Sequence, residues 1–269
     1  MVIRLDWRVY IMSDYNPYDN NNYSNPYSEY NNGYAGTTGY QSYETVSAKE
    51  VMPKTFAVMV AALIVTAITS FALAMNETFI YNMFIGSGSR LYFILVFVAE
   101  MIAITMTTRF IAKNSMIGAA IGFFAYSILN GATLSVIFVA FDIRVVAKSF
   151  FIAALVFGCM AAYGAIVDAD LTKVGSIAMM GLIGCLISSL LNAFIFRSSS
   201  FDWLISVVVI VVFTALTAYD VQNIKKMAAQ ASVTGISANT IAIYGAMELY
   251  LDFINIFIRL LAIFANNRD

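Results

Sequence analysis

Apolar residues in this chain come in long, nearly unbroken runs rather than at the spacing of a half-buried helix or strand. Seven such runs stand out: 56–75, 91–112, 116–141, 150–167, 174–196, 203–227 and 241–264. A bilayer core of about 30 Å takes some 20 apolar residues per helix, so the pattern predicts seven membrane spans. The sixth run is apolar as far as Tyr219 and polar beyond it, which predicts that its end dips into the headgroups. Connectors between runs are short. The expected architecture is therefore an all-α integral membrane protein, a seven-helix bundle over residues 51–269, with no loop large enough for a soluble catalytic domain.

Residues 1–50 follow a different pattern. The stretch "SDYNPYDNNNYSNPYSEYNNGYAGTTGYQSYETVS" is rich in Tyr, Asn, Gly and Ser and nearly devoid of aliphatic side chains. It cannot bury enough apolar surface to offset ordering entropy, which predicts a disordered cytoplasmic tail. The first eleven residues, "MVIRLDWRVYI", are too short and too polar for a signal peptide, and Met12 is the expected true start.

Composition bears out the membrane reading and narrows the chemistry. The chain is 61% hydrophobic and 12% charged, with a mean hydropathy of +0.78; soluble domains carry roughly twice that share of charge. Histidine is absent, which removes imidazole metal ligands, Ser-His-Asp catalysis and a histidine pH switch. Cys159 and Cys185 form no CxxC pair and are expected to pack as small apolar residues. The net charge of −1 says little about partners, but no basic cluster is large enough to bind nucleic acid, so none is expected. Lys and Arg favour the side holding the tail, with Lys49, Lys54, Arg109, Lys113, Lys173, Lys225 and Lys226 against Arg90, Arg144, Lys148, Arg197 and Arg268. That asymmetry predicts the N-terminus inside; a bacterial cell membrane is the expected location, and an internal eukaryotic membrane is equally compatible with the pattern.

Against this background the acids inside the apolar runs are conspicuous. Asp220 and Asp252 lie on the last two spans, and Glu100 lies midway along the second. A charge at the bilayer centre costs roughly 2.5–3.5 kcal/mol even on the lenient scale, so such residues face a protein-lined or watery interior. A sixth helix ending near Met227 puts Asp220 about 10 Å from its inner end, and a seventh starting near Ile241 puts Asp252 about 16 Å from its own. The two carboxylates are thus expected at comparable depth on adjacent antiparallel helices. Glu248, Asp252, Asn255 and Arg259 are spaced 4, 3 and 4 apart and share one helical face. Of these, Glu248 is expected at the interface and Arg259 to reach outward. Glu100 and Arg109 are nine apart, half a turn out of phase, and cannot both face one pore on an ideal helix. The glycine pairs Gly118–Gly122 and Gly181–Gly184 are expected to allow close helix packing.

Several stretches together carry a family resemblance. "LTAYDVQNIKK", "YGAMELYLDFINIFIRLLAIF", "LNGATLS" and "YGAIVDADLTKVGSIAMMGLIG" resemble the Bax inhibitor-1 family, most closely its bacterial seven-helix branch, over residues 47–269. The resemblance implies a central C-terminal helix wrapped by the other six. It also implies a pH-sensitive calcium leak, with an aspartate pair on the last two helices as sensor and gate. The matching positions are Asp220 and Asp252, and Arg109 matches the second-helix arginine that latches the first of them.

Three classes of function follow. The first is a pH-sensitive calcium or cation leak channel with no cofactor and no enzymatic activity. Its ion path takes in Glu100, Asn255 and Asn223 beside the aspartates, and its calcium ligands would include Asp220 and Asp252. Calcium takes six to eight oxygens, so waters, amides or carbonyls have to complete the set. The second is a non-conducting regulator that binds other membrane proteins, such as a membrane protease or cell-death factors. The third is an intramembrane aspartyl protease. That class needs GxGD at its second aspartate, and this chain has "LYLD" there.

Overall fold

The computed structural model describes residues 48–86 and 88–266. The expectations for the tail and for Met12 fall on residues 1–47, outside that range, except that Ala48, Lys49 and Glu50, assigned to the tail, form the first turn of a helix. Seven long helices follow one another: α1 (Ala48–Ala74), α2 (Ser89–Ala112), α3 (Met116–Ala140), α4 (Ile143–Ile166), α5 (Thr172–Leu191), α6 (Ser199–Thr234) and α7 (Ala238–Asn266). A short helical turn, Glu77–Ile80, runs into π-helical Tyr81–Ile85 between α1 and α2, and α5 continues into a π turn at Asn192–Phe196. No strand occurs among the described residues.

Six of the predicted spans are helices long and apolar enough to cross a membrane, counted over the described residues. The structure treats α7 differently from the other six. Every residue from Ile241 to Ile254 is buried, and α1, α2, α3, α4 and α6 all pack against it. It is the axis of the bundle. The expectation of six wrapping helices holds for five, because α5 packs on α6 instead. The outer helices expose broad apolar faces, with Ile64, Ile68, Ile177, Met180 and Ile187 all more than half exposed. Such surface on a folded protein needs an apolar medium to cover it.

Cross-chain contacts define the two ends of the bundle. At one end Lys54 Nζ donates to Asn239 Oδ1 (3.2 Å), and Asn114 at the α2–α3 corner bonds Gly235 O and Ser237 N. At the other, Arg259 reaches Asp202 (3.9 Å), and Lys148 Nζ sits 4.6 Å above the Phe264 ring. The chain alternates between these ends as the span pattern predicts.

Close approach of helices is built on glycine. A Cβ on Gly122 would stand 2.4 Å from Thr107 Oγ1, and one on Gly131 would stand 2.8 Å from the Thr66 carbonyl oxygen. Gly122 thereby sets the α2–α3 spacing and Gly131 the α1–α3 spacing. The second predicted pair behaves otherwise: Gly181 faces Val212 at 3.2 Å, but Gly184 has open space. Gly184 is not a packing glycine. Cys159 also departs from expectation, being exposed on α4, while Cys185 is buried.

Candidate functional site

Both ends of the α6–α7 hairpin's turn are fixed locally. Gly235 closes α6 in the left-handed conformation, at φ +67°, where only glycine is free of strain. Ser237 Oγ then accepts from Thr240 N and caps α7. These ends change the expected depths. α6 runs seven residues past Met227, because Ala228 and Ala231 are buried along it. Asp220 therefore lies 14 residues before Thr234, and Asp252 lies 14 residues after Ala238. Each is about 21 Å from its helix end at 1.5 Å per residue. The comparable depths expected from sequence hold, but both lie deeper than the roughly 10 and 16 Å read there.

Burial at this level is complete. Asp220 is 3% exposed and Asp252 is 0%. Asp220 sits within a run, Leu216 to Gln222, in which every residue is buried. Glu248, expected at the interface, is also buried, one turn before Asp252 on the same face. The earlier expectation failed because α7 is enclosed even near its start. None of these three acids is left without an interaction.

The remaining predicted residues divide into two groups. Glu100 is buried on α2 and accepts from Thr133 Oγ1 at 2.6 Å. Arg109 is exposed, and no ion pair to it forms among the described residues. The half-turn phase difference read from their spacing is what separates them. Asn255 Nδ2 bonds back to Leu251 O (2.7 Å) and Asn223 Nδ2 lies 3.9 Å from Met227 Sδ, so both amides turn along their own helices. Arg259 does not reach outward as expected. It is half-buried against α6, with Ser206 Oγ at 3.5 Å and Asp202 beyond.

A polar network around Tyr250, two residues before Asp252, was not foreseen. Its hydroxyl lies 2.7 Å from Thr66 Oγ1 and donates to Asn130 Oδ1 at 3.1 Å. Asn130 in turn reaches the Tyr126 hydroxyl at 3.4 Å. The network ties α1 and α3 to α7 beside the acids. Its only trace in the sequence is the polar "LNGATLS" interrupting an apolar span. No group of three His, Cys, Asp or Glu side chains fit to hold a metal occurs among the described residues.

Comparison of sequences decides which family this bundle belongs to. The family model described as Inhibitor of apoptosis-promoting Bax1 matches residues 48–269. The chain belongs to the Bax inhibitor-1 family. Its relatives include an uncharacterized protein of Borreliella burgdorferi, 38% identical over 84% of this chain and 96% of its own length. The inner membrane protein YbhL of Escherichia coli is 34% identical over 81% and 92%. RP147 of Rickettsia prowazekii is 36% identical over 82% and 91%. The chain is an integral, multi-pass membrane protein.

In this Bax inhibitor-1 family chain, two of the motif stretches turn out to touch. Gln222, two residues after Asp220, accepts from Leu171 N (2.9 Å) and donates to Ala169 O (2.8 Å). Lys225 donates to Ala165 O, and Lys226 pairs with Asp170. The "VQNIKK" end of α6 thus clamps the α4–α5 loop "VDADL" through its backbone. Gly164 allows the approach, since a Cβ there would collide with the Ala218 backbone. Lys226 and the Thr172 hydroxyl and N–H hold the exposed Asp170 carboxyl down to about 2.

Proposed function

We propose that this Bax inhibitor-1 family protein is a pH-sensitive leak path for cations, calcium foremost, gated by Asp220 and Asp252. In this reading α7 is the seventh crossing, the α6–α7 turn and the tail face the cytoplasm, and the path runs beside α7. The observation that carries it is the placement of two fully buried carboxylates at equal height on packed helices. In this reading, with both buried, nothing passes that level until α6 and α7 separate. Acidification adds a proton, weakens the ties that hold the charged form, and frees α6 to move.

Support from elsewhere in the molecule is consistent. Histidine is absent, so buried carboxyls are the candidate sensors near neutrality. Asp170, the exposed carboxyl of the α4–α5 loop, is held down to about 2, far too low to serve. An outer cavity of about 580 Å³, lined by Asn192, Arg197, Asp202 and Ser206, offers a polar mouth at the far end of the hairpin. A latch between Arg109 and Asp220 requires the guanidinium to leave its exposed position.

The test is calcium flux into liposomes holding the purified protein, measured from pH 5 to 8. Asp220→Asn should give a leak that no longer closes in base, and Asp252→Asn a blunted response with less calcium passage. Arg109→Ala should copy Asp220→Asn if the latch forms during the cycle. Folded aspartate variants that keep the wild-type curve of flux against pH would refute the gate and favour a non-conducting regulator.

A further inference from the structure

The two residues Phe141 and Asp142 join α3 to α4, yet those helices hardly touch. Between them opens a cleft of about 490 Å³ that reaches α1 and α7. Its walls are apolar, with Leu134, Phe138, Val146, Phe150, Phe253 and Phe257 prominent. Phe150 packs edge-on against Phe253 (5.2 Å) and Phe257 (6.0 Å), which fixes the far wall on α7. At the mouth, Ile143 and Phe151 are 58% and 63% exposed, so the cleft is continuous with the lipid-facing surface.

One polar atom in the cleft lacks a use. Ser70 is 2% exposed and lines the cavity, yet its hydroxyl has no hydrogen-bond partner among the described residues. Thr66, the other hydroxyl of the lining, is already engaged by Tyr250 and two backbone carbonyls. A buried hydroxyl without a partner is costly, and a serine inside a helix usually bonds back to its own backbone. Water does not answer the need, because a buried water takes about three polar partners and this cavity offers one. An apolar ligand carrying a single oxygen acceptor fits both facts.

Size narrows the ligand further. A dry cavity of about 150 Å³ holds one benzene, a six-carbon body. By that measure this cleft holds on the order of 20 carbons, the bulk of one acyl chain. Ser70 lies four residues from the end of α1, about 6 Å below it, a depth at which a lipid's ester group can reach. We propose that the α1–α3–α4–α7 cleft binds one acyl chain of a bilayer phospholipid, whose ester carbonyl accepts a hydrogen bond from Ser70. The site rests on the cavity and on Ser70, and stands whether or not the protein conducts ions.

The experiment uses the whole protein in vesicles of phosphatidylethanolamine and phosphatidylglycerol, doped with a phosphatidylglycerol bearing a diazirine in one acyl chain. After irradiation, labels should concentrate on Leu134, Phe138 and Phe257 relative to Ile177 and Met180 on the lipid face of α5. Ser70→Ala should lower cleft labelling about fivefold, the worth of one hydrogen bond. Ala147→Phe, which fills the mouth, should abolish it in protein that remains monodisperse. Equal labelling of cleft and α5, or cleft labelling that survives Ala147→Phe, overturns the proposal. Labelling of the cleft only by a free diazirine fatty acid overturns the phospholipid assignment.

Discussion

Replacing Gln222 by alanine tests whether α6 holds the α4–α5 loop as described. The side chain makes two hydrogen bonds to that loop, one from Leu171 N and one to Ala169 O. Leu171 is buried, so the substitution orphans a buried N–H at about 1–3 kcal/mol. Ala169 is exposed and regains water, so its lost bond adds about 1 kcal/mol. The loop should therefore open more easily by about 2–4 kcal/mol. At tenfold for each 1.4 kcal/mol, amide exchange over residues 167–172 rises about 30- to 700-fold where exchange reports local opening. Hydrogen exchange with mass spectrometry on the detergent-solubilised protein reads this directly, with peptides from α7 as the internal reference. A change confined to the loop supports the clamp. Unchanged exchange over 167–172 in folded Gln222→Ala would show that the loop is held by something else.

Three further outcomes are expected. With Cys159 and Cys185 replaced by alanine, single cysteines at Thr78 and Val233 should label from opposite sides of intact membranes; same-side labelling contradicts the proposed topology. Gly122→Val should destabilise by about 1–3 kcal/mol through overpacking against Thr107, whereas Gly184→Ala, facing open space, should leave the apparent melting temperature unchanged. Asp170 has its carboxyl depressed to about 2, so its tie to Lys226 is complete above its unfolded value of about 4 and is lost as pH falls through about 2. Asp170→Asn should accordingly leave the shape of any flux profile between pH 5 and 8 unaltered, and a changed shape there would assign Asp170 a role the structure denies it.

The helices were legible because bilayer-length apolar runs leave little else to form. The phase of Glu100 against Arg109 was legible too, since 100° per residue needs only a count. What hydropathy hid was helix continuing through polar sequence. "NIKKMAAQASVT" reads as a headgroup segment, but its alanines bury against the bundle and Gly235 supplies the stop. Misplacing that end by seven residues is what distorted the depths of the aspartates. Glu248 was misjudged because nearness to a helix end implies water only for a peripheral helix, and α7 is surrounded. The contacts of Tyr250 with Thr66 and Asn130 span 184 and 120 residues of chain, and no local pattern announces pairings of that separation.

The equal arms of the α6–α7 hairpin restrict how its gene can change length. One residue inserted between Asp220 and Thr234 would swing Asp220 by 100° and lift it 1.5 Å, turning it off the helix pair. The same insertion between Ala238 and Asp252 would do likewise to its counterpart. Matched insertions restore the height but leave both side chains misdirected until whole turns have been added to each arm. The turn at 235–237 lies outside both arms, so that is where insertions and deletions should collect among relatives.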